Sequence, residues 1–527
     1  MKFKYLFTAL FFVFNSIQEI NAQNWNTNFG VNGYSKIEIN NRNTRGNILL
    51  QLDDGSLIVG VNSDYSQWGA LFDRNIYIYK LNPNGLIDAS FGTNGFFFIP
   101  SGSFENFSWV SALTYSNYDH FIYGLAKVAG VKTIFRFDTN GILDTNFGNN
   151  GWLNEATNGI YNILLIQNDG KILLVGMSYN NNITKQSLER YNTNGNLDTT
   201  FGNNGLVIND LTNYAYEIVS SAKIYDNKII LVGSSYNNNE TQSLATISRY
   251  NLDGSLDTSF GLNGYNITFI GPDHLACFKD IDINSNGDII AAGFNLHSGG
   301  TGGGHGNKAI LVKYNANGIL DNSFNGNGIK IFDSINGAND YFNTVSYLKD
   351  GKIIAGGSSG SFFPIMQSYY YLTKVNSDGT LHSNFYNSGY MVTDFENGVT
   401  NVAQDVITTS KDEIFSIGIT RDITDTYFIA VVCKMDNSFL STNKFYENET
   451  VLECLPNPVN DYLNVYSKLN IKDIQLFSID GRLLEQKTIN NFEEKTMLNF
   501  EHLSKGNYLL KFTDSNGRVI RKKIIKQ

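Results

Sequence analysis

The chain alternates short apolar runs with turn residues along most of its length, and one stretch shows the rule. Tyr161 to Gln167 is apolar, Asn168-Asp169-Gly170 turns it back, and Lys171 to Gly176 forms a second run. Gln186 to Tyr191 is a third. Asn194-Gly195 then turns the chain, and the segment around Phe201 leads into Leu206-Val207-Ile208. Runs of Ile, Val, Leu and Tyr bounded by Asp-Gly and Asn-Gly predict four antiparallel strands, because those dipeptides accept the positive φ of tight hairpins. No segment holds a helical period.

The pattern recurs at intervals of 54 to 64 residues. Its most constant member is a phenylalanine, found at Phe29, Phe91, Phe147, Phe201, Phe260, Phe324 and Phe385, each followed four residues later by glycine. Eleven residues before the last six stand Lys80, Arg136, Arg190, Arg249, Lys313 and Lys374. An aspartate recurs three residues before the Phe, at Asp88, Asp144, Asp198, Asp257 and Asp321. Such self-similarity indicates a repeat architecture.

The ends of the repeat region complement each other. The first unit lacks an opening hairpin and enters at Trp25 to Phe29 and the run Tyr34 to Ile39. The last has a hairpin, Val402 to Gly418, and a third run, Tyr427 to Met435, but no fourth. Joining them gives an all-β fold, a seven-bladed β-propeller of four antiparallel strands per blade, closed by an N-terminal strand. The expected domains are a signal peptide at 1–22, the propeller at 23–437, a linker at 438–452 and a small β-sandwich at 453–527.

Composition narrows the partners. Among 527 residues there are 49 glycines, only 6 prolines and 42% hydrophobic residues, which suits many tight turns and argues against disorder. A formal charge of -10, with no basic footprint over the repeats, excludes nucleic acid as an expected partner. Cys277, Cys433 and Cys454 are too few for a disulfide framework and are expected as buried thiols.

Met1 to Ala22 reads as a secretory signal peptide. Lys2 and Lys4 precede the short apolar run Tyr5 to Phe14, which is too brief to span a bilayer, and no membrane span is expected elsewhere. From Glu453 onward the character changes: twelve Lys or Arg stand against nine Asp or Glu, and five of the basic residues fall in the last ten. This tail carries Pro456-Asn457-Pro458, Asp480-Gly481-Arg482, Leu503 to Lys511 with Gly506 and Tyr508, and the basic end Arg521-Lys522-Lys523.

Two resemblances follow. Leu256 to Gly261 (L-D-T-S-F-G), Leu143 to Gly148 and Ile87 to Gly92 resemble the bacterial delta-60 repeat, whose members are regarded as β-propellers without an agreed activity. His382, Asn325 and Tyr386 depart from that pattern. The tail resembles the type A C-terminal sorting domain of the type IX secretion system of Bacteroidota, on Pro456, Asn457, Pro458, Gly481, Gly506, Tyr508, Lys522 and Lys523. That resemblance implies the type IX machinery as a partner. It also implies passage through the periplasm to a secreted or outer-membrane surface location, so the basic end reads as an address.

Candidate chemistry is sparse, and no catalytic constellation is found. The repeated Asp, with Asp138, Asn140 and Asp144 or Asn251, Asp253 and Asp257, gives a faint calcium-loop look. Most copies offer Asn where a carboxylate is needed, so the Asp is expected to cap backbone N–H groups and no cofactor is expected. The basic residue is expected to pair with the Asp eight residues on, and the Phe to pack between blades. Gly356 to Gly360 matches G-x-S-x-G but lacks the helix that motif requires, and is expected as a loop. Ser298 to Gly306 resembles a phosphate loop only in glycine content. Off-repeat candidates are Asp273, His274, His297 and His305. The expected role is an exported binding or scaffold module for an extracellular ligand, glycan or protein. The alternatives are a propeller enzyme acting on polysaccharide or another polymer, and a calcium-stabilised adhesin.

Overall fold

The computed structural model describes residues 25–435 and 452–527, apart from 41, 68–69, 101–107, 129–130, 155–158, 181–182, 213, 238–241, 272–274, 298–305, 333–338, 362–366, 387–388, 394, 396–397, 423–426, 468–469, 479–481, 490–494 and 516–518. The signal peptide, most of the linker, Asp273, His274, His305 and Gly481 therefore lie outside the described residues, as do the side chains of His297 and Lys523. All regular structure among the described residues is β. The chain divides into two compact units, Met1–Ser438 and Phe439–Gln527.

The first unit repeats one module of four antiparallel strands. Asn43–Gln51, Leu57–Gln67, Ala70–Leu81 and Phe96–Ile99 form one such sheet. The strands beginning at Trp109 and at Ala276 open two more. Two eight-stranded sheets are each a pair of these modules, joined by a single parallel contact, Thr184 to Tyr216 in one and Ser368 to Thr400 in the other. The final module takes its fourth strand from the other end of the chain. Tyr34–Ile37 pairs antiparallel with Ile429–Met435, Tyr34 opposite Cys433 and Ile37 opposite Ala430, and Trp25 bridges to Met435.

Modules stack face to face because their central strands are apolar on both sides. In Ile289–His297, Ile289 and Ala291 enter a core with Phe260 and Phe278, whereas Ile290 and Ala292 enter a different one with Phe324 and Phe342. Period-two alternation thus feeds two interfaces from one strand. The first and last modules share a core of the same kind, in which Leu57 and Val59 meet Ile417 and Val432.

The first strand of each module lies innermost. These are the strands starting at Asn43, Trp109, Ile160, Tyr216, Ala276, Asn339 and Gly398; each packs on the next, and the Gly398 strand returns to the Asn43 strand. Every one carries a β-bulge, as between Val219 and Ser221 or Phe278 and Asp280. In five of them, at Gly176, Gly233, Gly293, Gly357 and Gly418, a second-strand glycine makes room for it. A Cβ on Gly233 would stand 1.8 Å from the Ile218 carbonyl oxygen, and one on Gly357 1.9 Å from that of Tyr341. No other residue fits there. The expected loop Gly356 to Gly360 is therefore corrected: it lies inside the strand Ile353–Ser361, where its glycine admits a neighbouring backbone.

In the second unit, Leu452–Leu455, Tyr462–Ser467 and Lys495–Asn499 form one sheet, and the strands starting at Ile471, Leu483, Gly506 and Val519 another. Leu463 and Val465 from the first and Leu510 and Phe512 from the second share one core. Asn457 accepts the Ile525 N–H at 2.9 Å, and the Tyr508 hydroxyl donates to the Ser504 carbonyl at 2.6 Å. Pro456 and Pro458 both follow cis peptide bonds, Gly506 opens a strand, and Lys522 pairs with Leu510.

Candidate functional site

The repeated motif occupies the joints between modules. Phe201 is wholly buried beneath the next module's turn, where a Cβ on Gly254 would meet its ring at 2.9 Å; Phe29 meets Gly85, Phe91 meets Gly141, and Phe260 and Phe324 meet Gly318 and Gly379. Phe147 is buried beside Tyr123, and Phe385 packs in the core that holds Trp25. The residue after the Phe donates its N–H to the following turn, as Gly202 does to Asp253 at 3.0 Å and Gly261 to Asn317 at 2.8 Å.

Each repeated aspartate caps the N–H two residues on: Asp88 that of Ser90, Asp144 of Asn146, Asp198 of Thr200, Asp257 of Ser259 and Asp321 of Ser323. The second carboxylate oxygen takes the cation, at 2.8 Å from Arg190 to Asp198 and from Lys313 to Asp321, 2.9 Å from Arg249 to Asp257 and 2.7 Å from Arg136 to Asp144. Lys80 instead lies 3.6 Å from Asp54. An exposed pair would carry little. Here Arg190 and Asp198 are only 7% and 4% exposed, and Arg190 also sits 4.5 Å over the Phe201 ring. These groups tie each turn to its ring and, through Arg190 and the Leu252 carbonyl, to the following module.

The inner strands hold the chemistry that sequence reasoning missed. On the strands starting at Tyr216, Ala276, Asn339 and Gly398 the residue after the bulge is Ser221, Asp280, Thr344 and Asp405, whereas the other inner strands carry Ile48, Ala112 and Ile163. The polar side chains reach to the next strand. Asp280 accepts the Val345 N–H at 3.0 Å, Thr344 the Val406 N–H at 3.0 Å, and Asp405 the Leu49 N–H at 3.1 Å. Below them Asp282 accepts the Tyr347 N–H at 2.7 Å and lies 3.0 Å from the Lys223 ammonium.

Charge is concentrated on this side. Burial, and then repulsion from Asp280, pushes the Asp405 carboxyl up to about 6; burial also raises that of Asp280. Lys223 is enclosed by the inner strands, which works against its charge, yet Asp282 and Asp280 outweigh this and hold it above the ordinary lysine range. Its side chain is still 46% open to solvent, so the enclosure is wet.

The bulged residues form a second level, uncharged but for Lys279. Asn47, Ser111, Asn162 and Ser220 are the extra residues of the first four inner strands. Lys279, Asn343 and Gln404 are those of the other three. None is buried. Asn343 donates to the Ala403 carbonyl and Asn162 accepts from Lys132, while Asn47, Ser111, Ser220 and Gln404 make no side-chain hydrogen bond among the described residues. A lone Asn inside Ile160–Ile166 was a legible sign, but its meaning required the bulge.

Residues 453–527 match the family described as a secretion system C-terminal sorting domain, and residues 167–201 and 226–260 match the domain of unknown function (DUF5122) beta-propeller. The chain is a propeller protein with a sorting tail. The tail supports export to the cell surface or the medium. Among described residues no helix is long and apolar enough to cross a membrane, and no group of three or more His, Cys, Asp or Glu is placed to hold a metal.

No curated protein matches the chain. Similar solved structures include Drosophila Semaphorin 2a, 8% identical over 93% of this chain and 97% of that one, at a TM-score of 0.43. Another is the β-propeller domain of the Trilobed protease from Pyrococcus furiosus, 11% identical over 77% and 98%, at 0.39. A third is the GH93 alpha-L-arabinofuranosidase of Fusarium graminearum, 11% identical over 76% and 97%, at 0.35. These likenesses are too distant to speak to this chain's chemistry.

Proposed function

We propose that this propeller is seven-bladed, closed by its N-terminal strand and followed by a β-sandwich, and that it is a non-enzymatic binding or scaffold module. In this reading a signal peptide at Met1 to Ala22 takes the chain to the periplasm of a Bacteroidota cell, and type IX secretion delivers it through the tail. No cofactor takes part. The observation that carries the binding role is the division of labour on the inner strands. The carboxylates of Asp280, Asp282 and Asp405 each accept a backbone N–H of the neighbouring strand, whereas the groups left free to meet a ligand are amides and hydroxyls. Those carboxylates join neighbouring inner strands, and a recognition surface needs only the donors and acceptors that the amides and hydroxyls supply.

The enzyme reading draws on one feature, that burial and then the charge of Asp280 push the Asp405 carboxyl up to about 6. Both readings are separated by incubating the secreted chain with soluble polysaccharides and measuring retention and new reducing ends together. Retention without release is expected. Reducing ends that appear with the wild type and vanish with Asp405→Asn would overturn the binding role.

A further inference from the structure

Resting on that binding role, we propose that the level of bulged side chains recognises the end of a neutral oligosaccharide. A bulge places one unpaired residue on the free edge of each inner strand, and such bulges commonly re-aim a side chain toward a functional space. Here the strands pack in a closed series, so the bulges stand in a circle, with Asn343 bonded to the next inner strand at Ala403 and Lys279 turned over the Phe294 ring.

Their chemistry is selective. Each Asn or Gln offers two donors and an acceptor, and each Ser hydroxyl offers both. A sugar hydroxyl likewise donates and accepts, so a circle of amides and hydroxyls can satisfy several of them at once. A carboxylate circle could only accept, and a basic one could only donate. Lys279 is the single charge at this level. One ammonium among six neutral groups supplies donors to hydroxyls without requiring an acid. The level below carries Asp280, Asp282 and Asp405 against the one ammonium of Lys223, which disfavours a polyanionic chain passing deeper.

Aromatic surface completes the fit. Two residues toward the start of their strands, Trp109 and Tyr341 are both partly exposed, and Trp109 lies 5.7 Å from the Arg74 guanidinium. An apolar ring face with a polar edge suits the C–H face of a pyranose. Both stand at the end where second and third strands connect, opposite the turns of the repeated motif.

The test is calorimetric titration of the secreted full chain with cellohexaose, mannohexaose, xylohexaose and hexagalacturonate. The variants are Asn47→Leu and Gln404→Leu, whose side chains make no hydrogen bond among the described residues. At least one neutral hexasaccharide is expected to bind, at least tenfold more weakly to either variant, with unchanged melting temperature. No binding by any neutral hexasaccharide, or neutral binding unchanged in both variants, overturns the saccharide assignment. Hexagalacturonate bound more tightly than every neutral chain overturns it as well. If a peptide or protein ligand is instead lost in the variants, the saccharide assignment fails and the binding role stands. Cleavage of a hexasaccharide would sink the binding role and leave the level of amides as the place of contact.

Discussion

Arg190 and Asp198 meet at 2.8 Å with both side chains almost fully buried, across a turn that also traps Phe201. The guanidinium spends a further N–H on the Leu252 carbonyl of the following module, so one side chain ties the turn, the ring and the neighbour. Removing a single partner from a buried pair typically costs about 3–5 kcal/mol. Arg190→Ala is expected to fall in that range by denaturant titration, and a double-mutant cycle with Asp198→Asn should return a coupling above about 1 kcal/mol. A coupling near zero would show that the pair is incidental.

Phe201→Ala opens a cavity beneath the Gly254 turn and should cost roughly 3–5 kcal/mol. Gly254→Ala attacks the same contact from the other side. Its φ of 89° disfavours any side chain, and the new methyl would reach the ring. Both should lower the melting temperature clearly more than the control Asn194→Ala at an exposed turn; equal shifts would refute packing as the role of the repeat.

Asp198 and Asp405 should respond to pH in opposite directions. Bonds from Thr200 and Lys171, with the charge of Arg190, outweigh burial and hold Asp198 below the usual carboxylate range. Its contribution is present above the unfolded value near 3.8 and is lost as pH falls through that region. Asp405 is raised, from 3.8 to about 6, so folding favours its protonated form. That contribution is full below 3.8 and is lost as pH rises to about 6. Asp405→Asn mimics the protonated form. It should match wild type near pH 4 and exceed it at pH 7.5 by on the order of 1–3 kcal/mol. A variant less stable than wild type at pH 7.5 would contradict this.

Gly293→Ala probes the bulges. A Cβ there would stand 2.0 Å from the Cys277 carbonyl oxygen, so the bulge that presents Lys279 must shift. Expected are a loss of about 1–3 kcal/mol, in the range for overpacking, and a weaker ligand affinity. A crystal structure of the variant with Lys279 unmoved would refute the link.

The joints were legible in the sequence because they repeat: Phe201, Asp198 and Arg190 recur at fixed offsets, and one physical role explains most copies, Lys80 departing to meet Asp54. The inner strands were not. Asp280 and Asp405 stand where other modules carry Ile48 or Ala112, so nothing periodic marks them, and only the register reveals that they follow a bulge. Of the glycines that shape the bulges, Gly176 and Gly418 were visible as strand-ending residues and Gly357 only within an expected loop, but their reason is a close carbonyl on a strand some sixteen residues earlier. The burial of Arg190 was likewise unreadable, since spacing reports neighbours and not the module that covers them.

Among the described residues Tyr34–Ile37 is the first strand made, and it completes the last module. Synthesis must therefore run through almost four hundred residues before its partner, Ile429–Met435, exists. Until then each carries an unsatisfied edge, and two nascent chains at high concentration could satisfy them reciprocally, first strand to the other's last module. The seam that makes the ring is thus also its route to exchanged dimers. A chain cut within Trp25 to Ile37 should gather into assemblies that intact chains avoid.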